Sequence, residues 1–240
     1  MQFNFDQFER EGVFVVDRYL DSDLVEQLLT EFSGQDGPSN TSPQKDSSRR
    51  ERRGSVFALR NLLSHDAIQT FVQSRAVQDF IQAIAPNSIA VRAILFDKTG
   101  DANWTVPWHQ DRSIAVRKRI DVPGFGPWSE KAGVVHVQPP IQTLRQMFTL
   151  RFSLDRCDND NGPLRAIPGT HNHLLDPKEV DETVSCNKQM NCTTESGGVV
   201  VMRPLILHAS SPAARVGHRR ILHIEFGPKV IDDRIEWALI

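Results

Sequence analysis

His109 and Asp111 lie two residues apart in the stretch VPWHQDR, residues 106–112. On a strand, side chains two apart share a face, so this imidazole and carboxylate would project together while Trp108 and Gln110 turn away to pack. A second imidazole, His208, lies in the apolar run LILHAS. Two histidines and one carboxylate form a facial triad that leaves adjacent metal positions open, the ligand set of non-haem Fe(II) oxygenases. Iron of this kind needs an electron-supplying co-substrate. 2-Oxoglutarate can chelate through its keto acid, and its distant carboxylate then calls for a cationic clamp. Arginine suits that task because its planar fork grips a carboxylate with two N–H groups. Arg219 and Arg220 head the strand-like run RRILHIEF, and spacing alone leaves open which of them serves.

Rival groupings are present. His223 and Glu225 share a face with Arg219 and read as a hydrogen-bonded polar pair. His171 and His173, in PGTHNH, sit in a turn where strand alternation does not hold. A histidine and an aspartate two apart occur by chance. The order of that pair, then a late histidine, then an arginine opening the next strand is far more restrictive.

The elements around these residues indicate the fold. With 240 residues, 39% of them hydrophobic, the chain can bury a substantial core, and one domain over residues 1–240 is expected. It opens with a short amphipathic helix, a β-branched run over Val13–Val16, and a second helix capped by Asp21 or Ser22. A Gly-, Pro-, Ser- and charge-rich stretch predicts a mobile loop over 33–54, and its RRERR cluster reads as solvated charge. One helical stretch is expected over Ser64–Ala85, closed by Pro86. From Ile89 the texture becomes β: IAVRAILFDK, VPWHQDRSIAVR, MFTLRFSLD, PLRAIPG, GGVVVM, LILHAS and RRILHIEF each read as a strand, and NDNG reads as a hairpin turn. Many short strands after a helical start predict a mainly β sandwich or jelly roll with helices on one outer face.

Composition narrows the partners. A net charge of −2 does not steer the chain to nucleic acid or an anionic membrane, and no apolar run approaches the roughly 20 residues that span a bilayer. Three cysteines outside any C-x-x-C pair argue against a disulfide framework and a cysteine zinc site. The expectation is a cytoplasmic protein acting on a small molecule.

Together, EGVFVVDRYLDSDLVEQL, LFDK, WHQD, DNDNGPLRAIPGTH, HAS and the arginine opening RRILHIEF resemble the phytanoyl-CoA dioxygenase family of Fe(II)/2-oxoglutarate-dependent oxygenases. The likeness extends over most of the chain. It implies a double-stranded β-helix, a cupin-like jelly roll, with His109, Asp111 and His208 as iron ligands and Arg219, rather than Arg220, as the 2-oxoglutarate clamp. It also implies co-substrate contacts from Lys98, reaching the chelating end, and from Ser210, which alternation places on the face of His208. The chemistry implied uses O2, releases succinate and CO2, and hydroxylates a substrate C–H bond. Related halogenases replace the carboxylate ligand by a small residue, so Asp111 favours hydroxylation. Oxidative cyclisation or desaturation would use the same residues, and a non-catalytic metal- or ligand-binding β-barrel is the rival outside enzymology.

Arg151 stands where the enzyme that gives the family its name carries an aromatic residue. Alternation groups it with Thr149 and Ser153, opposite Phe148, Leu150 and Phe152. It either enters the cavity, favouring an anionic or polar substrate over phytanoyl-CoA, or pairs with a carboxylate such as Asp155. In the long segment over 118–142, Phe125, Trp128 and His136 are candidates to line the substrate pocket, the alternative being an edge loop anchored by Trp128.

Overall fold

A computed structural model describes residues 3–33, 49–52, 55–215 and 217–240. Helix α1 (Phe5–Glu11) starts where the Asn4 side chain accepts a hydrogen bond from the Gln7 amide and stops at Gly12, whose φ of 71° suits glycine. Helix α2 (Ser22–Ser33) is capped by Asp21, which accepts from the Leu24 amide at 2.8 Å. The single helical stretch expected over Ser64–Ala85 is instead two helices, α3 (Asp66–Gln73) and α4 (Arg75–Ile84). Ser74 between them is extended, and its carbonyl accepts the first amides of α4.

The major sheet runs, in spatial order, β1 (Val13–Val16), β12 (Val199–Met202), β9 (Phe148–Ser153), β14 (Arg219–Pro228), β4 (Ser88–Lys98), β3 (Ser55–Leu59) and β2 (Arg49–Arg52). Facing it is a four-stranded sheet of β11 (Met190–Cys192), β10 (Leu164–Ile167), β13 (Leu207–Ser210) and β5 (Val106–His109). The described strand pairings are antiparallel throughout, giving the jelly roll that the short-strand pattern predicts. The predicted loop over 33–54 falls largely outside the described residues. Within it, Ser33 ends α2 and Arg49–Arg52 pair with β3 as an edge strand.

Alternation along the central strands divides core from site. Phe148, Leu150 and Phe152 of β9 and Leu222, Ile224 and Phe226 of β14 turn outward, where Val25, Leu28, Phe71, Phe80 and Ile81 of the helices cover them. Fully burying each such side chain contributes about 1.5–3 kcal/mol. The intervening residues, Arg151, Arg219, His223 and Glu225, face the interior between the sheets.

Three segments differ from the sequence expectation. VPWHQDRSIAVR is two strands, because pairing stops at His109 and resumes in β6 (Ile114–Val116). The segment over 118–142 is not all loop: β7 (Trp128–Lys131) and β8 (Val134–Val137) form a hairpin that joins β6, its turn made by Ala132 and Gly133, both at positive φ. NDNG links β9 to β10, which belong to different sheets, so it turns a corner and does not close a hairpin. Two short helices, α5 (Ile141–Gln146) and α6 (Pro177–Cys186), complete the set.

Candidate active site

β5 and β13 place His109 directly opposite His208, with ring centroids 4.2 Å apart. Between that pair and the Val106–Ser210 pair the register shifts, a bulge that accommodates Pro107, whose missing N–H would interrupt a regular ladder. Asp111 lies beyond the strand. Its amide donates to the Pro204 carbonyl at 2.9 Å, and its carboxylate sits 3.7 Å from Nε2 of each histidine. The shared position of His109 and Asp111 thus comes from this turn and not from strand alternation.

Backbone carbonyls set the proton on each ring. A carbonyl only accepts, so Nδ1–H of His109 donates to Pro107 at 2.8 Å and Nδ1–H of His208 donates to Ile206 at 2.9 Å. Both Nε2 lone pairs then face the carboxylate. Burial pushes His208 down to about 4 against the pull of Asp111, so its ring is neutral near pH 7. Burial works to raise Asp111, but His208 and His109 outweigh it and hold the carboxyl below its ordinary value. One ligand atom from each residue lies within 4.8 Å of the others, and with neutral rings these are three converging lone-pair donors. A divalent cation fits that arrangement.

The triad lies on one wall of a cavity of about 410 Å³ between the sheets. Arg219 enters from the opposite wall, is 3% exposed, and its Nε has no hydrogen-bond partner. Arg220 turns the other way and grips Asp155 through Nη2 at 2.7 Å and Nε at 2.8 Å. That pairing occupies Asp155, and Arg151 lines the cavity, its Nη1 donating to Nδ1 of His223 at 2.7 Å. Nε2–H of His223 in turn donates to Glu225 at 3.2 Å, and Glu225 accepts from Arg92 at 3.1 Å. His223 and Glu225 are therefore the satisfied polar pair expected, built into the cavity wall.

Lys98 pairs in register with Arg219 across β4 and β14. Its ammonium donates to Ser210 Oγ at 3.2 Å and to the Ser211 carbonyl at 2.5 Å. Burial, then the charges of Arg219 and Arg151, push its pKa down to about 7. Gly162, at φ +72°, lets the chain pass: a Cβ there would meet the Ser211 carbonyl at 2.4 Å and Lys98 Nζ at 3.2 Å.

Other sequence candidates fall elsewhere. Phe125 and Trp128 pack against a separate apolar cluster around Val137 and Trp237, and His136 is buried with Nδ1–H bonded to Val134, so none of the three is among the cavity-lining residues. The hairpin that replaces part of the expected loop sets Trp128 and Val137 on one face, in the apolar cluster that also holds Phe125, and His136 on the other. Among the described residues His171 joins no metal-ligand cluster: it lies against Gly12, hydrogen-bonded to the Glu9 carbonyl, and anchors α1, while the His173 carbonyl accepts from Gln110. Gln110 is buried and Trp108 packs under Arg165, the structural roles that alternation assigns them. Sequence reasoning missed Arg60, Arg92 and Lys131, which all line the cavity. Arg92 carried a signal, since it alternates with Ile94, Phe96 and Lys98 on one face of β4.

A jelly roll with a His-Asp-His cluster facing a buried arginine defines a non-haem Fe(II)/2-oxoglutarate-dependent oxygenase. The sequence profile "Phytanoyl-CoA dioxygenase (PhyH)" matches residues 8–221, and the chain belongs to that family. Iron and 2-oxoglutarate are accordingly its cofactor and co-substrate. Among solved structures, AviO1 from Streptomyces viridochromogenes Tue57 is similar at 21% identity and TM-score 0.64 over 95% of each chain. EctD from S. alaskensis with 2-oxoglutarate and 5-hydroxyectoine is similar at 14% identity and TM-score 0.71, over 93% of this chain and 74% of that one. The epimerase SnoN in complex with Fe3+, alpha ketoglutarate and nogalamycin RO is similar at 13% identity and TM-score 0.67, over 93% of this chain and 82% of that one. A comparison with curated protein sequences gave no match. Among the described residues no helix is long and apolar enough to cross a membrane.

Proposed function

We propose that this protein, as a single catalytic domain, hydroxylates an aliphatic C–H bond of a small molecule with release of succinate and CO2. The observation that carries the reading is the convergence of two Nε2 lone pairs and a carboxylate on the wall of a cavity that a buried arginine enters from the other side. His109, Asp111 and His208 hold Fe(II), and Arg219 receives the distant carboxylate of 2-oxoglutarate. Bound iron, with 2-oxoglutarate and O2, supplies oxidation of the C–H bond.

The chain's own residues position and enclose. Lys98 and Ser210 stand beside Arg219, so we assign both to the clamped carboxylate, and not Lys98 to the chelating end. Arg151, held by His223, presents its remaining N–H groups to the cavity and favours a substrate with an anionic or polar group. The free thiols of Cys157 and Cys192, both buried, agree with a reducing, cytoplasmic setting. The likeness to an epimerase supports a second outcome, C–H cleavage without hydroxyl transfer, from the same residues.

Purified protein with Fe(II), ascorbate and 2-oxoglutarate is expected to release succinate slowly, and faster when a screen of candidate small molecules meets the substrate. Product mass then separates a gained oxygen from lost hydrogens, and a shifted chromatographic position at unchanged mass reveals an isomer. Absence of iron-dependent 2-oxoglutarate binding would sink the reading.

A further inference from the structure

The cavity carries more positive charge than the reaction above uses. Arg219 is assigned to 2-oxoglutarate, and Asp111 to the metal. At the other end, Arg92 of β4 and Lys131 of β7 come together from different sheets, with Arg60, which follows β3, also lining the cavity. Among the described lining residues two carboxylates act on this group: Asp111, assigned to the metal, and Glu225, already engaged by Arg92 and His223. Arg92 Nε is buried without a hydrogen-bond partner. Lys131 donates to Ser113 Oγ at 3.0 Å, and Ser113 itself lines the cavity two residues after Asp111. Partial desolvation, then Arg92, holds the Lys131 ammonium below its ordinary pKa. A ferrous ion and a 2-oxoglutarate dianion cancel in formal charge, so binding both leaves the excess in place. Bringing cations together in a partly dry cleft is costly unless a counter-charge arrives.

We propose that Arg92 and Lys131 form a second oxyanion subsite, which takes a carboxylate or phosphate group of the primary substrate and sets its distance from the metal. This rests on the dioxygenase reading and deepens it. The substrate class is then a small molecule whose oxyanion docks at the hairpin end while an aliphatic carbon lies over the triad. Arg92 is anchored by Glu225, and Glu225 by His223, so the subsite is tied through one chain of hydrogen bonds to Arg151. A single anionic substrate thereby meets guanidinium groups at two points of the same wall.

The test uses the full chain with Fe(II) and saturating 2-oxoglutarate under anaerobic conditions, titrated calorimetrically with inorganic phosphate in one arm and propionate in the other. The Fe(II)–2-oxoglutarate absorption band in the same sample reports separately on the parent reading. Saturable binding of one of the two probes, weakened about tenfold or more in Arg92→Gln and in Lys131→Gln while 2-oxoglutarate affinity moves less than about twofold, is the expected result. Whichever probe binds identifies the oxyanion. Lys131 is exposed, so Lys131→Gln stays informative even if Arg92→Gln disturbs Glu225. The proposal is overturned if the band forms but neither probe binds, if both variants bind the probe like wild type, or if 2-oxoglutarate displaces it.

Discussion

Proton placement on His109 and His208 decides what those rings can do, and it is set by the carbonyl two residues earlier in the chain in each case. With Nδ1 committed, the Nε2 atoms and Asp111 act as one ligand set. Asp111→Ala is expected to abolish product formation, checked by succinate and product analysis with the substrate present. Arg219→Ala removes the buried partner of a carboxylate and is expected to weaken 2-oxoglutarate binding by about 2–5 kcal/mol, while Fe(II) affinity stays within about threefold. Titration of metal and co-substrate in separate experiments checks this; equal 2-oxoglutarate affinity in both proteins would remove Arg219 from the clamp. Lys98 adds a pH signature. Its pKa of about 7 makes it largely neutral near pH 8. A bound carboxylate favours the charged form, so 2-oxoglutarate binding should take up a proton near pH 8 and little near pH 6. Calorimetry in buffers of different ionisation enthalpy measures it, and no uptake at either pH would separate Lys98 from the clamp. These residues were legible in sequence because their types and order are restrictive. Arg60 and Lys131 were not, since a charge beside a strand or on a hairpin looks the same whether it meets solvent or a cavity; Arg92 was marked only by its alternation with Lys98.

At the scale of elements, the site depends on places where regular structure fails. The bulge at Pro107 and the end of β5 at His109 let Asp111 return to the histidines, so the H-x-D alternation argument reached the right residues by a geometry that the chain does not use. The hairpin of β7 and β8 was hidden because Gly, Pro and aromatic residues dominate its surroundings, although Ala132-Gly133 marks its turn. Helix α6, by contrast, carries a legible signal: Asp176 and Glu179 form a capping box around Pro177. The corner between β9 and β10 offers a direct test. Gly162 holds φ +72°, and a Cβ there meets the carbonyl that anchors Lys98. Gly162→Ala is expected to cost about 1 kcal/mol or more in stability and to weaken 2-oxoglutarate binding. Urea unfolding and co-substrate titration check the two effects; loss of stability with unchanged affinity would mean that the Ser211 contact does not position Lys98.

Across the whole molecule, the two faces of the major sheet separate stability from chemistry. Phe152 of β9 is fully buried, meets Phe71 of α3 at 5.0 Å edge to face, and lies opposite Leu222 of β14. Its chain neighbours Arg151 and Ser153 point the other way, one into the cavity and the other onto Thr194. Period-two alternation made this division readable in MFTLRFSLD, whereas the pairing of β9 with β12 and β14 was not, because it depends on contacts between segments far apart in sequence. Truncating Phe152 opens a void under the helices, where close packing lets the surroundings relax only in part. Phe152→Ala should therefore lower unfolding free energy by about 3–5 kcal/mol. The inward residues sit on backbone held by two flanking ladders, so in the folded protein 2-oxoglutarate affinity should remain within about threefold of wild type. Denaturant unfolding gives the first quantity and co-substrate titration well below the transition gives the second. A loss of affinity as large as the loss of stability would show that the helical layer sets the geometry of the clamp, and that the sheet alone does not hold the site in place.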